Sequence, residues 1–500
     1  MAEPYYITTA ISYPNGAPHI GHAYEAIAAD AIARFQKAQG RDVRFQTGTD
    51  EHGLKMAQAA RSEGAEPAAY AEKMSLKFKE MCDVLDVGYD RFIRTSNPAH
   101  HRASQALWQA MEANGDLYLG RYKGWYSVRD EAFYDESELT GKGDDRRSPQ
   151  GTPVEWTVEE SWFFKLSAYQ QPLLDHYAAH PEFIQPDSRR NEVLRFVEGG
   201  LNDLSISRTS FDWGIKVPGS EAHVMYVWLD ALTNYLTGLG YPDGGELLDR
   251  YWPANVHLIG KDVVRFHAVY WPAFLMSAKI ALPKMIYGHG FLLSRGEKMS
   301  KSVGNVVDPL DLAERYGVDS LRYFLLREVT VGQDGSYSHE AIVNRVNAEL
   351  ANSFGNLAQR SLSMIFKNLG GVLPALGAAD EDRALLETVR VACCETLPAE
   401  FERFAFAAGL EAWMAAVYAC NAYVDTTAPW GLKKSDPSRM AAVLGTLVTA
   451  IRELALAVAP IIPGSAAKLI ALIDSGESGQ PIAQPTPIFP RLELEDAAAA

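Results

Sequence analysis

The order of apolar and polar stretches at the start of the chain predicts a parallel sheet flanked by helices. A β-branched and aromatic run at residues 5–11 has the character of a buried strand, and it ends at a cluster of turn residues at 13–18. Apolar side chains then recur at helical spacing over residues 19–39, and a second strand is predicted at 43–50 before a helix from about Leu54. This alternation is typical of an α/β fold with a doubly wound, Rossmann-like sheet.

The pattern changes twice further along the chain. From about residue 115, the aromatic strands GRYKGWYS, EAFYDES and VEWTVEESWFF flank a polar, Gly-rich stretch, which predicts an inserted subdomain. The α/β pattern then resumes, and beyond His339 apolar residues step by three or four, as in helices. We therefore predict a sheet domain in two halves (1–114 and 219–338), an inserted subdomain (115–218) and an all-α helix bundle (339–500).

Composition narrows the class of protein. The 500 residues are 47% hydrophobic and 22% charged with a net charge of -16, which excludes a chain that is disordered throughout and argues against a generally basic nucleic-acid coat. Four cysteines argue against a disulfide framework and favour a reducing compartment. The N-terminus lacks a basic region before its short apolar run, and Arg452 and Glu453 interrupt the most apolar stretch. We expect a soluble, cytoplasmic protein without membrane contact.

The first candidate for chemistry follows the first strand and its turn. His19 and His22 are three residues apart, so both project from one face of a helix's first turn. The free N–H groups and the dipole of a helix N-terminus suit phosphate oxygens, and Gly21 leaves room for a flat group near the backbone. Two histidines at this spacing alone would more often be surface residues beside a turn.

The second candidate is the segment Gly296-Glu297-Lys298-Met299-Ser300-Lys301-Ser302. Its two lysines are also three apart and lie between glycines. A lysine 4 Å from a developing phosphate charge is worth ~4 kcal/mol at an effective dielectric of 20. Taken alone, the segment is as easily a solvated basic loop.

Together, and in this order, the two motifs resemble the HIGH and KMSKS signatures of class I aminoacyl-tRNA synthetases. The resemblance implies that an amino-acid carboxylate attacks the α-phosphorus of ATP and expels pyrophosphate. The activated amino acid is then transferred to tRNA. This chemistry depends on positioning and charge stabilisation. Neither a P-loop nor a G-x-G-x-x-G after the first strand suggests a competing nucleotide site. The residues implied to bind ATP are His19, Gly21, His22, Lys298 and Lys301, and the resemblance implies that all of them except Gly21 are also catalytic.

Further motifs resemble the methionyl-tRNA synthetase family in particular: AISYPNG (10–16), TGTDEHG (47–53), VWLDAL (227–232), and IGKD through FH to WP (259–272). This resemblance implies that Asp50 meets the α-amino group of methionine, that Arg208 helps to bind methionine, and that Asp262 is catalytic. Aromatic faces suit a thioether at ~0.3–1.5 kcal/mol per contact, although any one of these aromatics alone would more often be a core residue. The implied side-chain pocket comprises Ile11, Tyr13, Trp228, Ala231, Leu232, Tyr235, Phe266, His267 and Trp271.

Several other aminoacyl-tRNA synthetases and a non-catalytic relative fit the sequence less well. The leucine, isoleucine and valine enzymes carry a large editing insertion, for which the interval between His22 and Lys298 is too short. Cysteinyl-tRNA synthetase has a similar length but holds zinc partly with cysteines, and no cysteine lies between Cys82 and Cys393 in this sequence. A non-catalytic tRNA-binding paralogue should have lost motif residues, and all of them are present.

The helical C-terminal half resembles an anticodon-binding domain. Asn352, Asn356 and Arg360 follow one another at intervals of four, so a helix can present them together to base edges. Trp430 follows Pro429 and offers a stacking platform, although a buried aromatic at a helix end is the plainer interpretation. Lys433, Lys434 and Arg439 predict a local basic patch for phosphates.

The resemblance also sets expectations for partners and metals. Substrates are L-methionine, ATP with Mg²⁺ and tRNA(Met), for initiation and elongation of protein synthesis. Many relatives carry zinc knuckles with paired CxxC ligands in the insert, but Ser127 and Asp130 stand where such cysteines would be, so we expect no structural zinc. The chain ends soon after the predicted bundle, without the appended dimerisation domain of some relatives, and a monomer is therefore expected.

Overall fold

The structure is a computed structural model that describes residues 2–130, 132–294, 297–298, 306–330 and 332–494. Contacts between Cα atoms divide the chain into two compact units. The first unit is Met1–Asp83 with Val87–His289, and the second is Val84–Asp86 with Gly290–Ala500. The finer domain limits given above stay predictions.

The helices and strands follow the chain in this order. The strands are β1 (Pro4–Thr9), β2 (Asp42–Thr49), β3 (Arg91–Arg94), β4 (Leu117–Ser127), β5 (Ala132–Tyr134), β6 (Glu155–Phe164), β7 (Ile184–Gln185), β8 (Leu204–Ser205), β9 (Ser207–Arg208), β10 (Lys216–Val217), β11 (Ser220–Met225), β12 (Val256–Gly260), β13 (Ile286–His289), β14 (Leu292–Ser294), β15 (Glu297–Lys298) and β16 (Gly335–Tyr337). The helices are α1 (Ile20–Ala38), α2 (Leu54–Ser62), α3 (Pro67–Val84), α4 (Pro98–Ala113), α5 (Gln170–Ala179), α6 (Asp187–Glu198), α7 (Val227–Thr237), α8 (Glu246–Tyr251), α9 (Trp271–Ser277), α10 (Pro309–Tyr316), α11 (Val318–Glu328), α12 (His339–Arg345), α13 (Asn356–Asn368), α14 (Asp380–Arg390), α15 (Leu397–Glu402), α16 (Phe406–Thr427), α17 (Pro429–Ser435), α18 (Pro437–Val458) and α19 (Pro463–Asp474).

The first unit is built on a parallel sheet with the strand order β3-β2-β1-β12-β13-β7. Each neighbouring pair in this sheet runs parallel. Tyr6 and Ile7 on β1 are fully buried, as expected for a central strand covered on both faces. Gly48 lets β2 approach β3, because a Cβ there would lie 2.1 Å from the carbonyl oxygen of Ile93. The predicted doubly wound sheet is confirmed.

The strand order creates a crevice at one edge of this sheet. From β1 the chain moves outward to β2 and β3, and it returns on the opposite side of β1 with β12. Such a switch point separates the loops at the carboxyl ends of the two central strands, which is where ligands bind in open α/β sheets. The helix α1 begins shortly after β1, so its N-terminus lies at this edge.

The aromatic segments of residues 115–218 form an antiparallel sheet with the order β5-β4-β6-β8. The long strands β4 and β6 are paired from Leu117 with Phe164 to Tyr126 with Glu155. A second small sheet, β10-β11-β9, leads back to α7.

The second unit is mainly helical, as the sequence predicts. Its helical segments include π-helical stretches at Val346–Gly355 and Val391–Thr396, which apolar periodicity did not indicate. Trp413 is fully buried on α16, donates to the carbonyl of Leu454 on α18 at 2.9 Å and lies against Phe354. The bundle therefore closes around a shared apolar core.

One helix departs from the expectation about membrane segments. By length and mean hydropathy (1.8), α18 is apolar enough to cross a membrane, despite Arg452 and Glu453. However, 61% of its apolar window is buried inside the unit. Its burial is thus that of a core helix of the bundle.

Candidate active site

Polar and aromatic side chains gather at the carboxyl edge of the parallel sheet. Asp50 follows β2 directly, Asp262 follows β12, and His289 ends β13. His19 and His22 lie at the start of α1, which follows β1. The topology therefore brings sequence-distant candidate residues of the first unit to one edge of its sheet.

The two histidines of the first motif close the N-terminus of α1. His19 is the N-cap residue, and its Nδ1 accepts the backbone N–H of Gly21 at 3.1 Å. Nδ1 of His22 accepts the backbone N–H of His19 at 3.1 Å. Both Nδ1 atoms are acceptors, so in the neutral rings the proton lies on Nε2. The ring centroids lie 3.8 Å apart, which makes the pair one compact group of N–H donors.

This geometry changes the expected role of the helix N-terminus. The N–H of Gly21 is occupied by His19, and a Cβ at Gly21 would lie 2.9 Å from Cε1 of the same ring. The space over Gly21 is therefore filled by His19. The backbone N–H of Gly21 is therefore bonded within the turn in this conformation, and the binding of ATP by this turn stays a prediction.

Sequence reasoning missed a carboxylate one turn further along α1. Oε2 of Glu25 lies 2.8 Å from Nε2 of His289. Burial raises the pKa of Glu25, while the hydrogen bond from His289 opposes that rise. The only sequence signal was the placement of Glu25 three residues after His22, on the same helix face.

Tyr235 and His267 form the polar centre of an aromatic pocket. The hydroxyl of Tyr235 lies 2.6 Å from Nε2 of His267, and Nδ1 of His267 lies 3.0 Å from the carbonyl oxygen of Val263. The carbonyl can only accept, so Nδ1 carries the proton and Nε2 accepts from Tyr235. Burial lowers the pKa of His267 to about 4, which keeps the ring neutral at pH 7.

A histidine that the sequence did not single out supports this pocket. His257 is fully buried on β12 and stacks on Tyr235, with ring centroids 3.9 Å apart. Its Nε2 accepts Nε1–H of Trp271 at 3.3 Å, and its Nδ1 lies 2.7 Å from Oγ1 of Thr8. Burial, with His267 nearby, holds the pKa of His257 well below its ordinary value. Its signal was faint, since it precedes the quoted IGKD motif.

The predicted pocket aromatics fall into two environments. Tyr235 and Trp271 are buried, whereas Trp228 and Phe266 are half-buried and stack in parallel with ring centroids 3.8 Å apart. Phe266 lies in a π-helical stretch, Phe266–Tyr270, which also carries His267. Such stretches are frequent at functional sites. The other predicted pocket residues of α7, Ala231 and Leu232, are buried.

The loop after β2 carries the predicted amine-binding side of the site. Asp50 is buried, and its N–H donates to the carbonyl of Ser12 at 2.9 Å. The hydroxyl of Tyr13 donates to the carbonyl of His52 at 2.7 Å, which ties the loop after β1 to this loop. Ile11 is half-buried directly before these residues. The structure thus brings Tyr13 and the loop of Asp50 together.

Arg208 lies in a different environment. It is buried on β9, where Nη1 donates to the carbonyl of Ser207 at 2.7 Å and to Oγ of Ser205 at 2.9 Å, and its guanidinium lies over the ring of Tyr226. It lines a cavity of about 730 Å³ together with Tyr226 and Tyr270. Its role in methionine binding stays a prediction.

Of the other catalytic candidates, the structure describes the side chain of Asp262 but not those of the two lysines. Asp262 is exposed after β12. The backbone of Lys298 belongs to β15, but its side chain lies outside the part of the structure that is described, and Lys301 lies outside the described residues.

In the second unit, the predicted anticodon residues form an exposed face. Asn352, Asn356 and Arg360 are exposed, and the Arg360 guanidinium lies 5.7 Å from the ring centroid of Trp430. Trp430 is 52% exposed, which contradicts a buried aromatic at a helix end. Pro429 is buried and begins α17 after Ala428, whose φ is 42°. The turn therefore holds the indole against Arg360.

The predicted basic patch is smaller than expected. Lys433 and Lys434 are exposed. Arg439, however, donates to both carboxylate oxygens of Asp382 at 2.7 Å and to Glu381 at 2.9 Å. Arg439 is therefore committed to an internal ion pair, and the prediction that it binds phosphate is wrong.

The insert positions expected to lack zinc contain a hydrogen-bonded cluster. Oδ2 of Asp130 accepts the hydroxyls of Thr152 at 2.5 Å, Ser148 at 2.6 Å and Tyr134 at 3.0 Å. Ser127 lies 2.7 Å from Thr152, hydroxyl to hydroxyl. Within the described ranges, no three His, Cys, Asp or Glu side chains are grouped so as to hold a metal ion.

Family models match both parts of the chain. A model described as tRNA synthetases class I (M) matches residues 5–362. A second model, described as anticodon binding domain of methionyl tRNA ligase, matches residues 374–487.

Individual proteins are similar over nearly the whole chain. The methionine–tRNA ligase of Brucella suis biovar 1 (strain 1330) is 57% identical over 505 residues, covering 98% of each protein. That of Mycobacterium tuberculosis (strain ATCC 25618 / H37Rv) is 55% identical over 511 residues, again covering 98% of each. A solved structure of Mycobacterium tuberculosis methionyl-tRNA synthetase in complex with methionyl-adenylate superposes with a TM-score of 0.94 at 54% identity, covering 98% of this chain and 100% of that chain.

Proposed function

The chain belongs to the methionine–tRNA ligases of class I, and from this membership we propose which of its residues carry each step of the reaction. The enzyme activates L-methionine with ATP to methionyl-adenylate and pyrophosphate, and then transfers methionine to tRNA. The first unit supplies the methionine pocket and the HIGH turn, and the second supplies the anticodon face.

For activation, the HIGH turn and the KMSKS lysines bind the phosphates of ATP. His19 and His22 present Nε2–H donors at the carboxyl edge of the sheet, and Lys298 and Lys301 add positive charge as pyrophosphate leaves. ATP enters with Mg²⁺ as a substrate complex, and Asp262 acts at the same edge. Gly21 serves by making room for the His19 ring that caps it.

Methionine is held at its two ends by different elements. Asp50 binds the α-amino group from the loop after β2, which Tyr13 anchors. The side chain enters between Trp228, Phe266 and the buried group of Tyr235, His267 and Trp271. A thioether has no proton to donate and gains ~0.3–1.5 kcal/mol per aromatic contact. We also assign a role in methionine binding to Ile11, Ala231, Leu232 and Arg208.

For transfer, the exposed face of the second unit recognises the anticodon of tRNA(Met). Trp430 stacks on one base, and the Arg360 guanidinium beside it adds charge and hydrogen-bond donors. Asn352 and Asn356 bond base edges, and Pro429 fixes the approach of Trp430. We further propose a cytoplasmic monomer that contains no structural zinc.

The observation that carries the methionine assignment is the neutral, buried Tyr235–His267 pair beside the Trp228–Phe266 stack. Trp228→Ala should raise the KM for methionine by about tenfold, with the KM for ATP unchanged, because one aromatic face is lost. Lys301→Ala should instead lower kcat ~10²–10³-fold, since its charge matters in the transition state. Steady-state pyrophosphate exchange measures both, and an unchanged methionine KM in Trp228→Ala would refute the pocket assignment.

A further inference from the structure

A buried carboxylate in the first unit joins three separate elements. Asp230 on α7 is fully buried; its Oδ2 lies 2.6 Å from Nδ1 of His52, and its Oδ1 lies 2.8 Å from Nε2 of His100. His52 follows β2, and His100 lies on α4. Both histidines are themselves buried. Both oxygens of one side chain are thus committed to imidazole partners from other parts of the fold.

The charge on this carboxylate is retained despite its burial. Burial acts to raise the pKa of Asp230, but the two histidines together hold it below its ordinary value. A buried carboxylate is costly even when it is hydrogen-bonded, and apolar residues of similar size commonly stabilise a core as well or better. We therefore attribute to the group of Asp230, His52 and His100 a role in orienting its neighbours, and not mainly a role in stability.

The position of Asp230 shows what is being oriented. It lies two residues after Trp228 and one before Ala231, on the helix that carries the proposed side-chain pocket. His52 lies two residues after Asp50, and its carbonyl accepts the hydroxyl of Tyr13. The Asp230–His52 bond consequently connects the element that holds one end of methionine to the loop that holds the other.

We propose that Asp230 is a positioning residue for methionine, which fixes through His52 the spacing between the amine-binding loop and the side-chain pocket. This inference rests on the proposed methionine site. A small ligand held at both ends gains from pre-set spacing, because no ordering of the loop then has to accompany binding. His100 holds the opposite oxygen of Asp230 and also lies 2.9 Å from Oγ1 of Thr237 on α7, so it braces the helix without reaching the loop.

The two histidines make a matched pair of test variants. Asp230→Asn keeps the shape but presents an amide N–H₂ where one imidazole N–H needs an acceptor. We expect Asp230→Asn and His52→Leu each to raise the KM for methionine by about tenfold, with the KM for ATP within twofold, and the double variant to be no worse than either alone. His100→Leu should lower the melting temperature while changing the methionine KM by less than threefold.

Pyrophosphate exchange measures the KM values of each variant, and thermal melts measure its stability. If Asp230→Asn does not fold, His52→Leu serves as the test, since leucine has no donor for the carboxylate. The proposal is overturned if the methionine KM of His52→Leu stays within twofold, if both substrates are affected equally, or if the His52 and Asp230 effects simply add. Trp228→Ala distinguishes failure of this inference from failure of the proposed site. When Trp228→Ala raises the methionine KM and His52→Leu does not, only this inference fails, and when neither does, the methionine site itself is misassigned.

Discussion

At the scale of single residues, hydrogen bonds set the tautomers of the histidines around the site. His19 and His22 accept at Nδ1 and so carry their proton on Nε2. His267 carries its proton on Nδ1, because that atom faces a carbonyl oxygen, and its Nε2 is an acceptor. The same side chain thus supplies donors at the proposed ATP turn and an acceptor in the proposed methionine pocket.

The neutral state of His267 makes stability depend on pH. The folded-state pKa is lowered to about 4 by burial, so between about 6.5 and 4 the unfolded chain takes up a proton that the folded chain does not. Folding stability should therefore fall as the pH is lowered through this window, with a contribution from this residue of about 3 kcal/mol. Below about pH 4, both states are protonated and the loss stops growing.

Chemical denaturation at a series of pH values checks this expectation. His267→Gln keeps a neutral polar group and should flatten the dependence of the unfolding free energy on pH between 6.5 and 4. His180→Gln, at the exposed histidine that directly follows α5, is the matched control. Equal slopes for wild type and His267→Gln would show that His267 is not buried in its neutral form.

At the scale of elements, regular periodicity was readable from the sequence and local irregularity was not. The strand ending before the Tyr13 turn and the helix after His19 were predicted because β-branched runs and apolar spacing follow from the backbone geometry of each element. The π-helical stretches that carry Phe266 and Asn352 were not, since one extra residue in a turn is set by tertiary packing.

Of the candidate site, the sequence predicted the motif residues but not their distant partners. The motif residues His19, His22 and Asp50 do lie at one edge of the sheet. Glu25 and His257 were missed, because their importance depends on partners far away in the sequence that only the fold brings near. Arg439 was misjudged for the same reason, since its partner Asp382 is distant in sequence.

Within the insert, the hydrogen bonds to Asp130 are expected to stabilise the local fold, as a bound metal would. Asp130→Ala removes the acceptor of three hydroxyl groups, and a hydrogen bond to a charged group is worth ~1.5–3 kcal/mol. We expect a loss of about 2 kcal/mol in the stability of the insert, seen as faster limited proteolysis within residues 115–218. Asp144→Ala, at an exposed position elsewhere in the insert, should have no effect.

The same element gives the test of the zinc expectation. Elemental analysis of the purified protein should find no stoichiometric zinc, and activity should survive prolonged chelation followed by excess Mg²⁺. Zinc bound one to one, or Asp130→Ala as resistant to protease as wild type, would show that the cluster has been misinterpreted.

At the scale of the whole molecule, the residues proposed for methionine and those proposed for the anticodon lie in different units. Trp430→Ala should leave pyrophosphate exchange intact while weakening aminoacylation of tRNA, because one base-stacking platform is worth ~1–3 kcal/mol. Tyr418→Ala is the matched control, since Tyr418 is also a half-exposed aromatic of the second unit but lies on α16. Equal loss of both activities in Trp430→Ala would instead indicate a structural role for the indole.

The central claim is that the first unit's pocket commits the enzyme to methionine. ATP–pyrophosphate exchange, run with the purified chain against each of the twenty amino acids, tests this claim most directly. The account predicts exchange that depends on methionine and is lost when methionine is omitted. Exchange supported by cysteine instead, or none with any amino acid, would contradict it.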